Sequence, residues 1–403
     1  KLMKLMRRWN GERSPGASSF RRWGNEDSLL FAIGSVWCRI VLFMKILCLF
    51  SIGAVLALFP TFPIFAGTVV YVSEGGHNRI GIFSLDEKKE ALTRIGDVEL
   101  EGSPGPLALS KDGRHLYASV RSVSQFSTLS VDPATGLLKV ISTVPASGGA
   151  AYIHVDRTGR WLLGAYYGEG LVSVSRIDEE GVIVDEPLWV LDIGPKAHCI
   201  VTDPSNRFAY CPHPLDLNCV DQFRFDEKTG KLTLNDPNTL SGGPGNGPRH
   251  LKFHPNGKWA YLANEQGKSA SLCYYDSEKG TLEVKQTLSS LPKEWDSPRA
   301  SGAEIKISAD GRFLYTSNRG HESITTFSID QGSGMMTVLD RVPTEKIPRS
   351  FDLLPGEKFM VVAGQGEGRL VLYRRDTETG GLSEVQRIDC GKSPAWVMGM
   401  KLP

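Results

Sequence analysis

The residues of this 403-residue sequence best suited to chemistry are a histidine, a glutamate and four arginines that lie at the ends of short β-strand patterns. Arginine offers a planar, permanently charged fork to phosphate and carboxylate groups. Histidine can transfer a proton near neutral pH, and a glutamate can orient water or neutralise neighbouring arginines. This combination predicts recognition of a small anionic molecule, with arginines able to stabilise an oxyanion during acyl transfer. The residues are His198, Glu265, Arg121, Arg249, Arg319 and Arg349.

A repeated hairpin pattern predicts the elements that position these residues. Each unit has an alternating strand, a turn built on Asp-Gly, Asn-Gly or a close relative, and a second strand rich in Tyr, Leu and Val. Two further strand patterns usually follow, and the units start 46 to 54 residues apart. Four antiparallel strands per period indicate the blade of a β-propeller. The units are Leu107–Arg121, Ile153–Tyr167, Cys199–His213, Leu251–Glu265, Ile305–Arg319 and Phe351–Gln365.

The two ends of the repeat region complete one more blade. Val69–Ser73 matches the second strand of a unit, but no first strand precedes it outside the leader. Pro394–Met400 matches a first strand with nothing after it, so it can fill the vacant place. We therefore predict an all-β fold, a seven-bladed β-propeller with four antiparallel strands per blade, whose first blade is closed by both termini. A two-sheet sandwich is the alternative, but it does not explain the fixed period.

Alignment of the units identifies the residues that share one axial mouth. A hairpin brings the start of its first strand and the end of its second strand to the same face of the propeller. The residues that open the first strands are Gly105, Ala151, His198, Arg249, Ala303 and Arg349. The residues that close the second strands are Gly75, Arg121, Tyr167, Pro214, Glu265, Arg319 and Gln365. From this ring we take His198, Arg249, Glu265 and Arg319 as catalytic candidates. Arg121, Tyr167, Arg349 and Gln365 are the substrate-binding candidates.

Structural roles compete with these assignments. The arginines could form salt bridges between blades, His198 could bond a neighbouring backbone group, and Tyr167 could be part of the wall. Among the other histidines, we expect His250 to point away from Arg249 and His254 to lie in a turn, both with structural roles. His154 and His213 are treated as ordinary polar residues. No G-x-S-x-G motif is present, and no histidine–carboxylate cluster has metal-ligand spacing, so neither a serine nucleophile nor a metal or other cofactor is expected.

Composition limits the class of protein. A formal net charge of +1 removes the main electrostatic reason to expect nucleic-acid binding, and 41% hydrophobic residues suffice for a sizeable core. Seven cysteines at irregular spacing do not make a disulfide framework, although one pair among Cys199, Cys211 and Cys219 is possible.

The first 66 residues read differently from the rest. We expect Lys1–Asp27 to be disordered and Met44–Ala66, with its apolar run Ile46–Phe59, to be a secretory signal that precedes a propeller domain at residues 67–403. An uncleaved membrane anchor is the alternative. Cleavage would place the protein in the periplasm or outside the cell without stable membrane association, and otherwise it would be cytoplasmic. The oligomeric state is left open.

Several runs resemble the seven-bladed-propeller lactonases, a family that includes bacterial propeller-type 6-phosphogluconolactonase and is similar to fungal carboxy-muconate lactonizing enzyme. They are GPRHLKFHPNGKWAYLANE, AEIKISADGRFLYTSNRG, PRSFDL and VAGQ, and the resemblance extends from Thr68 to Pro403. It implies metal-free lactone chemistry at the propeller mouth. It also implies that His198, Arg249, Glu265 and Arg319 match the family's functional residues, and it favours Arg349 and Gln365 as substrate contacts.

Two features depart from that family. One is the export signal, and the other is the pair Pro212 and Pro214, which replace small or polar residues beside His198. The main hypothesis is hydrolysis of 6-phospho-D-glucono-1,5-lactone, with either His198 or Glu265 as the base. The alternatives are a lactonase for another carboxylated or unphosphorylated lactone, and an exported propeller that binds a ligand or protein without catalysis.

Overall fold

Each repeat forms a four-stranded antiparallel sheet in the computed structural model, which describes residues 67–295 and 297–402. Seven such sheets follow one another as blades 1 to 7, so the predicted all-β seven-bladed propeller is confirmed. The expected disordered extension and the signal Met44–Ala66 lie outside the described residues. Within those residues the helical elements are single 3₁₀ turns at Gly75–His77 and Arg121–Val123, and neither is a candidate to span a membrane.

The strands of the first three blades have the following bounds. Blade 1 contains β1 (Thr68–Glu74), β2 (Arg79–Asp86) and β3 (Ala91–Glu99). Blade 2 contains β4 (Pro104–Leu109), β5 (His115–Val120), β6 (Gln125–Val131) and β7 (Leu138–Pro145). Blade 3 contains β8 (Tyr152–Val155), β9 (Trp161–Tyr166), β10 (Leu171–Ile177) and β11 (Ile183–Asp192).

The remaining blades keep the same order. Blade 4 contains β12 (Val201–Thr202), β13 (Phe208–His213), β14 (Cys219–Asp226) and β15 (Lys231–Ser241). Blade 5 contains β16 (Pro248–Phe253), β17 (Trp259–Asn264), β18 (Ser269–Asp276) and β19 (Thr281–Ser289). Blade 6 contains β20 (Ser301–Ile307), β21 (Phe313–Arg319), β22 (Ser323–Ile329) and β23 (Met336–Pro343). Blade 7 contains β24 (Pro348–Leu353), β25 (Phe359–Gly364), β26 (Arg369–Arg375) and β27 (Leu382–Asp389), and β28 (Pro394–Lys401) follows.

The last strand closes the ring. β28 pairs antiparallel with β1, with Val397 opposite Val72, and blade 1 has the strand order β28-β1-β2-β3. The predicted closure of the first blade by both ends of the repeat region is therefore correct. Closure leaves β1 with a partner on each side, which removes an exposed sheet edge.

Local turn chemistry explains why the hairpins form where the sequence predicts. The turn between β4 and β5 places Gly113 at φ +69°, a left-handed conformation that glycine adopts without steric cost. In blade 4 the matching position is Asn206 at φ +61°, and asparagine is among the few other residues that tolerate this region.

Contacts between non-neighbouring blades show that the first strands surround the central axis. The Tyr152 ring of β8 lies 5.3 Å from the Trp396 ring of β28, centroid to centroid. The Nζ of Lys252, on β16, donates to the Tyr152 hydroxyl at 2.9 Å. Blades 1, 3 and 5 therefore meet through their first strands, which is where the mouth residues begin.

A repeated hydrogen bond joins neighbouring blades. A buried tyrosine of each of five second strands donates its hydroxyl proton to a glycine carbonyl in the β-turn between the third and fourth strands of the next blade. The pairs are Tyr71–Gly136, Tyr117–Gly181, Tyr210–Gly280, Tyr261–Gly334 and Tyr315–Gly380, at 2.7 to 2.9 Å. Buried apolar side chains fill the space between the sheets.

Candidate active site

A β-bulge at the start of the first strands directs side chains toward the mouth. In β16 the register shifts between Pro248 and His250, so Arg249 is the extra residue opposite β17. In β24 the same shift makes Arg349 the extra residue opposite β25. A bulge locally redirects side chains and breaks the strict alternation of faces. The predicted ring positions of both arginines therefore coincide with a local irregularity that the hairpin pattern does not show.

Arg249, Glu265 and Arg319 form one ion-paired cluster. The Arg249 Nε lies 3.2 Å from Glu265 Oε2, and Arg319 Nη2 lies 3.2 Å from Glu265 Oε1. Both arginines also donate to backbone carbonyls of blade 6, Arg249 to Ala303 at 2.6 Å and Arg319 to Gly302 at 2.8 Å. The sequence allows a structural role for these arginines as salt bridges between blades. The pair of Glu265 in blade 5 and Arg319 in blade 6 forms such a bridge.

Burial makes the Arg249 charge unusual. The residue is 2% exposed, and burial together with Arg319 and Arg349 lowers its pKa to about 9. It remains protonated at neutral pH, so a desolvated cation stands at the mouth. Such a cation interacts more strongly with a developing negative charge than it would in water.

Arg121 and Arg349 reach the same pocket as Arg249 from blades 2 and 7. A narrow pocket at the axis is lined by the three arginines together with Trp396 and the small or apolar residues Gly105, Pro106, Ala151 and Ala395. The glycine is required for this arrangement, since a Cβ on Gly105 would lie 2.4 Å from Cδ of Arg121. Arginines that are far apart in sequence therefore converge, as the register predicted.

His198 lies beside this cluster and is 4% exposed. Its ring centroid is 5.5 Å from that of Tyr167 and 5.1 Å from that of His250. Its backbone N–H donates to the carbonyl of Pro212 at 3.1 Å, whereas its Nδ1 has no hydrogen-bond partner among the described residues. Burial, followed by the charge of Arg249, lowers the pKa of His198 well below its ordinary value. The imidazole is therefore neutral at pH 7, rather than titrating near it as expected.

The last two substrate-binding candidates lie at the rim. Tyr167 is half-buried, and the Nζ of Lys196 lies 4.6 Å from the centroid of its ring. Burial raises the pKa of Tyr167, and so does the nearby charge of Glu265, so the phenol is a neutral hydrogen-bonding group. Gln365 is half-buried and lines a cleft together with Arg121. All eight candidates thus lie around one mouth.

The prediction that His250 points away from Arg249 is wrong. The Nη1 of Arg249 donates to Nε2 of His250 at 3.1 Å, and the Nδ1–H of His250 donates to Glu304 Oε1 at 3.0 Å. The bulge explains the error, because the residue after it does not alternate as in a regular strand. Burial and Arg249 lower the pKa of His250 to about 3, which keeps its Nε2 free to accept.

The negative charge of Glu304, which accepts the hydrogen bond from His250, is balanced by nearby lysines. Burial alone would raise the pKa of Glu304, but the hydrogen bond from His250 and the ammonium groups of Lys306 and Lys252 hold it below its ordinary value. Lys306 is itself paired with Asp352 at 2.8 Å. The sequence does carry a signal for this arrangement. His250 directly follows the ring residue Arg249 in blade 5, and Glu304 directly follows the ring residue Ala303 in blade 6.

The other three histidines of the sequence analysis make hydrogen bonds typical of structural residues, and the described cysteines are unpaired. The Nε2 of His254 hydrogen-bonds the carbonyl of Gly311 at 2.9 Å, which agrees with its predicted place in a turn. His154 pairs with Thr202, and His213 with Pro195 and Asp221. The five cysteines of the described region are free thiols, so the possible bridge among Cys199, Cys211 and Cys219 is not formed there. No cluster that could hold a metal ion occurs among the residues that the structure describes.

An open cleft beside the mouth was not predicted. Its volume is about 570 Å³, and it shares Gly105, Arg121 and Ala395 with the narrow pocket. Its wall adds Ser103, Ser122, Ser124, Ser393 and Glu169. These residues lie just outside the aligned units, so the alignment carries no signal for them.

The fold and the site together define a seven-bladed propeller with a buried arginine cation and a neutral imidazole at its axial mouth. The family model described as "Lactonase, 7-bladed beta-propeller" matches residues 65–398, and the chain belongs to this family.

Individual relatives agree with this assignment. The chain is 32% identical over 338 residues to a 6-phosphogluconolactonase of Pectobacterium carotovorum subsp. carotovorum (strain PC1), which covers 83% of this chain and 99% of the relative. It is 32% identical over 329 residues to a 6-phosphogluconolactonase of Serratia proteamaculans (strain 568), with coverages of 82% and 98%. Among solved structures, the periplasmic gluconolactonase of Pseudomonas aeruginosa is 25% identical with a TM-score of 0.77, and the match covers 83% of this chain and 99% of that one.

Proposed function

We propose that this protein hydrolyses a sugar lactone at the propeller mouth, and that its substrate is 6-phospho-D-glucono-1,5-lactone, which gives 6-phosphogluconate. The observation that carries the proposal is the convergence of His198, Arg249, Glu265 and Arg319 at one mouth in a chain of the lactonase family. The names of the relatives support the choice of substrate.

The reaction adds water across the ester bond of the lactone. The oxygen of a water molecule attacks C1 while the His198 imidazole takes a proton from it. The carbonyl oxygen becomes an oxyanion that Arg249 and Arg319 stabilise, and the bond between C1 and the ring oxygen then breaks. The imidazolium returns its proton to the ring oxygen, which leaves as the C5 hydroxyl. C1 is then a carboxylic acid, which releases the second proton of the attacking water to solvent and becomes the carboxylate.

The charges of the site favour His198 over Glu265 as the base. Both oxygens of Glu265 face guanidinium groups, whereas the His198 imidazole is neutral and forms no ion pair among the described residues. The neighbouring arginines help to lower the pKa of His198, so an anionic substrate that offsets their charge would raise it again. Glu265 then holds the two arginines beside each other, one at each of its oxygens.

Hydrolysis of an unphosphorylated or otherwise carboxylated lactone is the second candidate. It is favoured by the secretory pattern at Met44–Ala66 and by a structural relative described as a periplasmic gluconolactonase. We propose that Met44–Ala66 directs export, which cell fractionation of the full chain and of a chain that starts at residue 67 would test. Equal distribution of the two chains between the cell fractions would contradict export.

The function is tested by following hydrolysis of freshly prepared 6-phospho-D-glucono-1,5-lactone, after subtraction of its spontaneous opening. We expect His198→Ala and Arg249→Ala each to lower kcat/KM at least about 100-fold, as for the loss of a general base or an oxyanion donor. Arg176→Ala is the matched control, because Arg176 is exposed on β10. Wild-type rates equal to the spontaneous rate for every sugar lactone would contradict the proposal and favour a binding protein.

A further inference from the structure

The four arginines of the mouth divide into two pairs by their partners. Arg249 and Arg319 share Glu265, and each donates to a backbone carbonyl. In the part of the chain that the structure describes, neither Arg121 nor Arg349 has a carboxylate within ion-pair distance. Arg121 makes only a long hydrogen bond, from Nε to the carbonyl of Gly149 at 3.4 Å, and Arg349 makes none within the described residues.

Neither guanidinium of this second pair is held in an ion pair among the described residues, and only the more distant carboxylates Glu265 and Glu169 offset part of their charge. Arg349 is half-buried, and burial together with Arg319 and Arg121 lowers its pKa to about 10, so it remains a cation at neutral pH. The nearest carboxylate to Arg121 in the cleft is Glu169, whose Oε1 already accepts from the backbone N–H of Gly149 at 3.1 Å. Like charges held together in this way are stabilised by a bound anion.

The surroundings of the pair show where an anion could lie. Arg121 and Arg349 both line the narrow axial pocket that also contains Arg249, and Arg121 continues into the open cleft of about 570 Å³. Ser103, Ser122 and Ser124 line that cleft and offer hydroxyl donors. An anion in the open cleft can therefore contact Arg121 and the serines, with Arg349 and Arg249 beside it at the narrow axial pocket.

We propose that Arg121 and Arg349 form the subsite for a phosphate ester of the lactone substrate, while Arg249 and Arg319 serve its reacting carbonyl. This inference rests on the proposed function. Two guanidinium groups without an ion-pair partner among the described residues match a phosphate monoester, which carries close to two negative charges at pH 7 and three acceptor oxygens. A carboxylate carries one charge and would satisfy one such fork. The pair therefore selects phosphorylated over unphosphorylated lactones.

Selectivity between two lactones tests the subsite. Initial rates of Arg121→Gln and Arg349→Gln would be compared with wild type on 6-phospho-D-glucono-1,5-lactone and on glucono-1,5-lactone, each corrected for spontaneous opening. We expect the ratio of kcat/KM for the phosphorylated lactone to that for the unphosphorylated one to fall about 10- to 100-fold in each variant, the size expected for loss of a charge-assisted contact. Arg176→Gln, the exposed control on β10, leaves this ratio unchanged.

Arg349→Lys adds a second comparison. It keeps the charge but loses the fork, so the ratio should fall less than in Arg349→Gln. Equal losses on both lactones in the glutamine variants would overturn the subsite and assign these arginines to the ring-opening step. Losses on neither lactone would overturn it as well, because the phosphate would then lie elsewhere.

A binding measurement separates failure of the subsite from failure of the proposed function. Calorimetric titration of 6-phosphogluconate and of gluconate into wild type and Arg349→Gln requires no turnover. Tighter binding of 6-phosphogluconate than gluconate by wild type, with the difference lost in the variant, supports the subsite even if no lactone is hydrolysed. Equal binding of the two acids by wild type would overturn it even if hydrolysis is observed.

Discussion

Arg249 is held from three sides, and each contact constrains its guanidinium group. Glu265 pairs with its Nε, the carbonyl of Ala303 accepts from its Nη1, and Nε2 of His250 accepts from the same nitrogen. His250 is in turn fixed by Glu304. A cation with little freedom needs little reorganisation when negative charge develops beside it, which is the main advantage of a preorganised site. His250 is thus a positioning residue for the proposed reaction.

Replacing His250 with leucine removes the acceptor for Arg249 and leaves Glu304 without its donor. We expect kcat to fall about tenfold with a smaller change in KM, because the lost contact orients a group that acts on the transition state. His250→Gln can still accept a hydrogen bond and should recover part of the rate. The control is His254→Gln on the same hairpin, where the histidine bonds Gly311 instead. Equal effects on kcat of the two His250 variants would contradict the positioning role.

The lowered pKa of His198 predicts how kcat/KM depends on pH. Because its pKa is lowered well below the ordinary value, the imidazole stays neutral as the pH falls through 6.5. We therefore expect kcat/KM for glucono-1,5-lactone to remain flat across pH 6.5 and to fall only in more acid solution. The unphosphorylated lactone is used because a phosphate ester titrates near pH 6 itself. An acid limb centred at pH 6.5 to 7 would assign the base to another group.

At the scale of elements, β17 and β20 approach closely where they position the cluster. The N–H of Gly302 donates to the carbonyl of Glu265 at 2.9 Å, and the carbonyl of Gly302 accepts from Arg319. A Cβ on Gly302 would lie 2.4 Å from the backbone oxygen of Asn264. Glycine is therefore required here for the approach of two blades, and the spacing between Glu265 and Arg319 depends on it.

Gly302→Ala should separate the two strands and disturb the Glu265–Arg319 pair. We expect kcat/KM to fall at least about tenfold, since small displacements in a preorganised site are costly. Gly332→Ala is the control, because Gly332 lies in an exposed turn where the added Cβ would meet only Asp330 Oδ1 at 3.4 Å. Unchanged activity in Gly302→Ala would show that this approach does not control the site.

The sequence predicted elements and registers well but failed where strands become irregular. Repeated Asp-Gly-type turns aligned the units, so residues as distant as Arg121 and Arg349 were correctly placed at one mouth. The bulge at Arg249 has no signature in the alternating pattern, and the direction of His250 was therefore predicted wrongly. The serines of the cleft lie outside the aligned units, so only the assembled structure shows them.

At the scale of the whole molecule, closure by β28 makes the propeller a continuous ring. Leu402 N–H donates to the carbonyl of Gly67 at 3.0 Å, so the two ends of the described propeller are adjacent. A chain that lacks residues 394–403 exposes one edge of β1 and loses part of the axial wall, including Trp396. We expect it to aggregate or to unfold at markedly lower temperature than the full chain, as measured by light scattering and thermal denaturation.

A circular permutant controls for the effect of chain ends. Residue 402 would be joined to residue 67 through a short linker, with new ends in the turn between β2 and β3, where Glu87, Lys88 and Lys89 are exposed. It retains all 28 strands described here and should stay folded. Full stability of the truncated chain would show that closure contributes little.

Buried neutral histidines also predict how the stability of the whole protein depends on pH. Burial lowers the pKa of both His154 and His250 to about 3, below the unfolded value near 6.5. The unfolded state therefore binds more protons between these pH values, so the free energy of unfolding decreases as the pH falls from 6.5 toward 3. Each histidine contributes up to about 1.4 kcal/mol per pH unit. Urea unfolding of wild type and His154→Gln at pH 7.5 and pH 5 checks this, and identical pH dependence in both would contradict it.

In the proposed function, one mouth of the propeller holds a phosphorylated sugar acid with its C1 end at the Arg249–Glu265–Arg319 cluster. A crystal structure of the protein with 6-phosphogluconate tests this most directly. We expect the C1 carboxylate within hydrogen-bond distance of Arg249 or Arg319, near His198, and the phosphate beside Arg121 and Arg349. Ordered product bound away from these residues would contradict it.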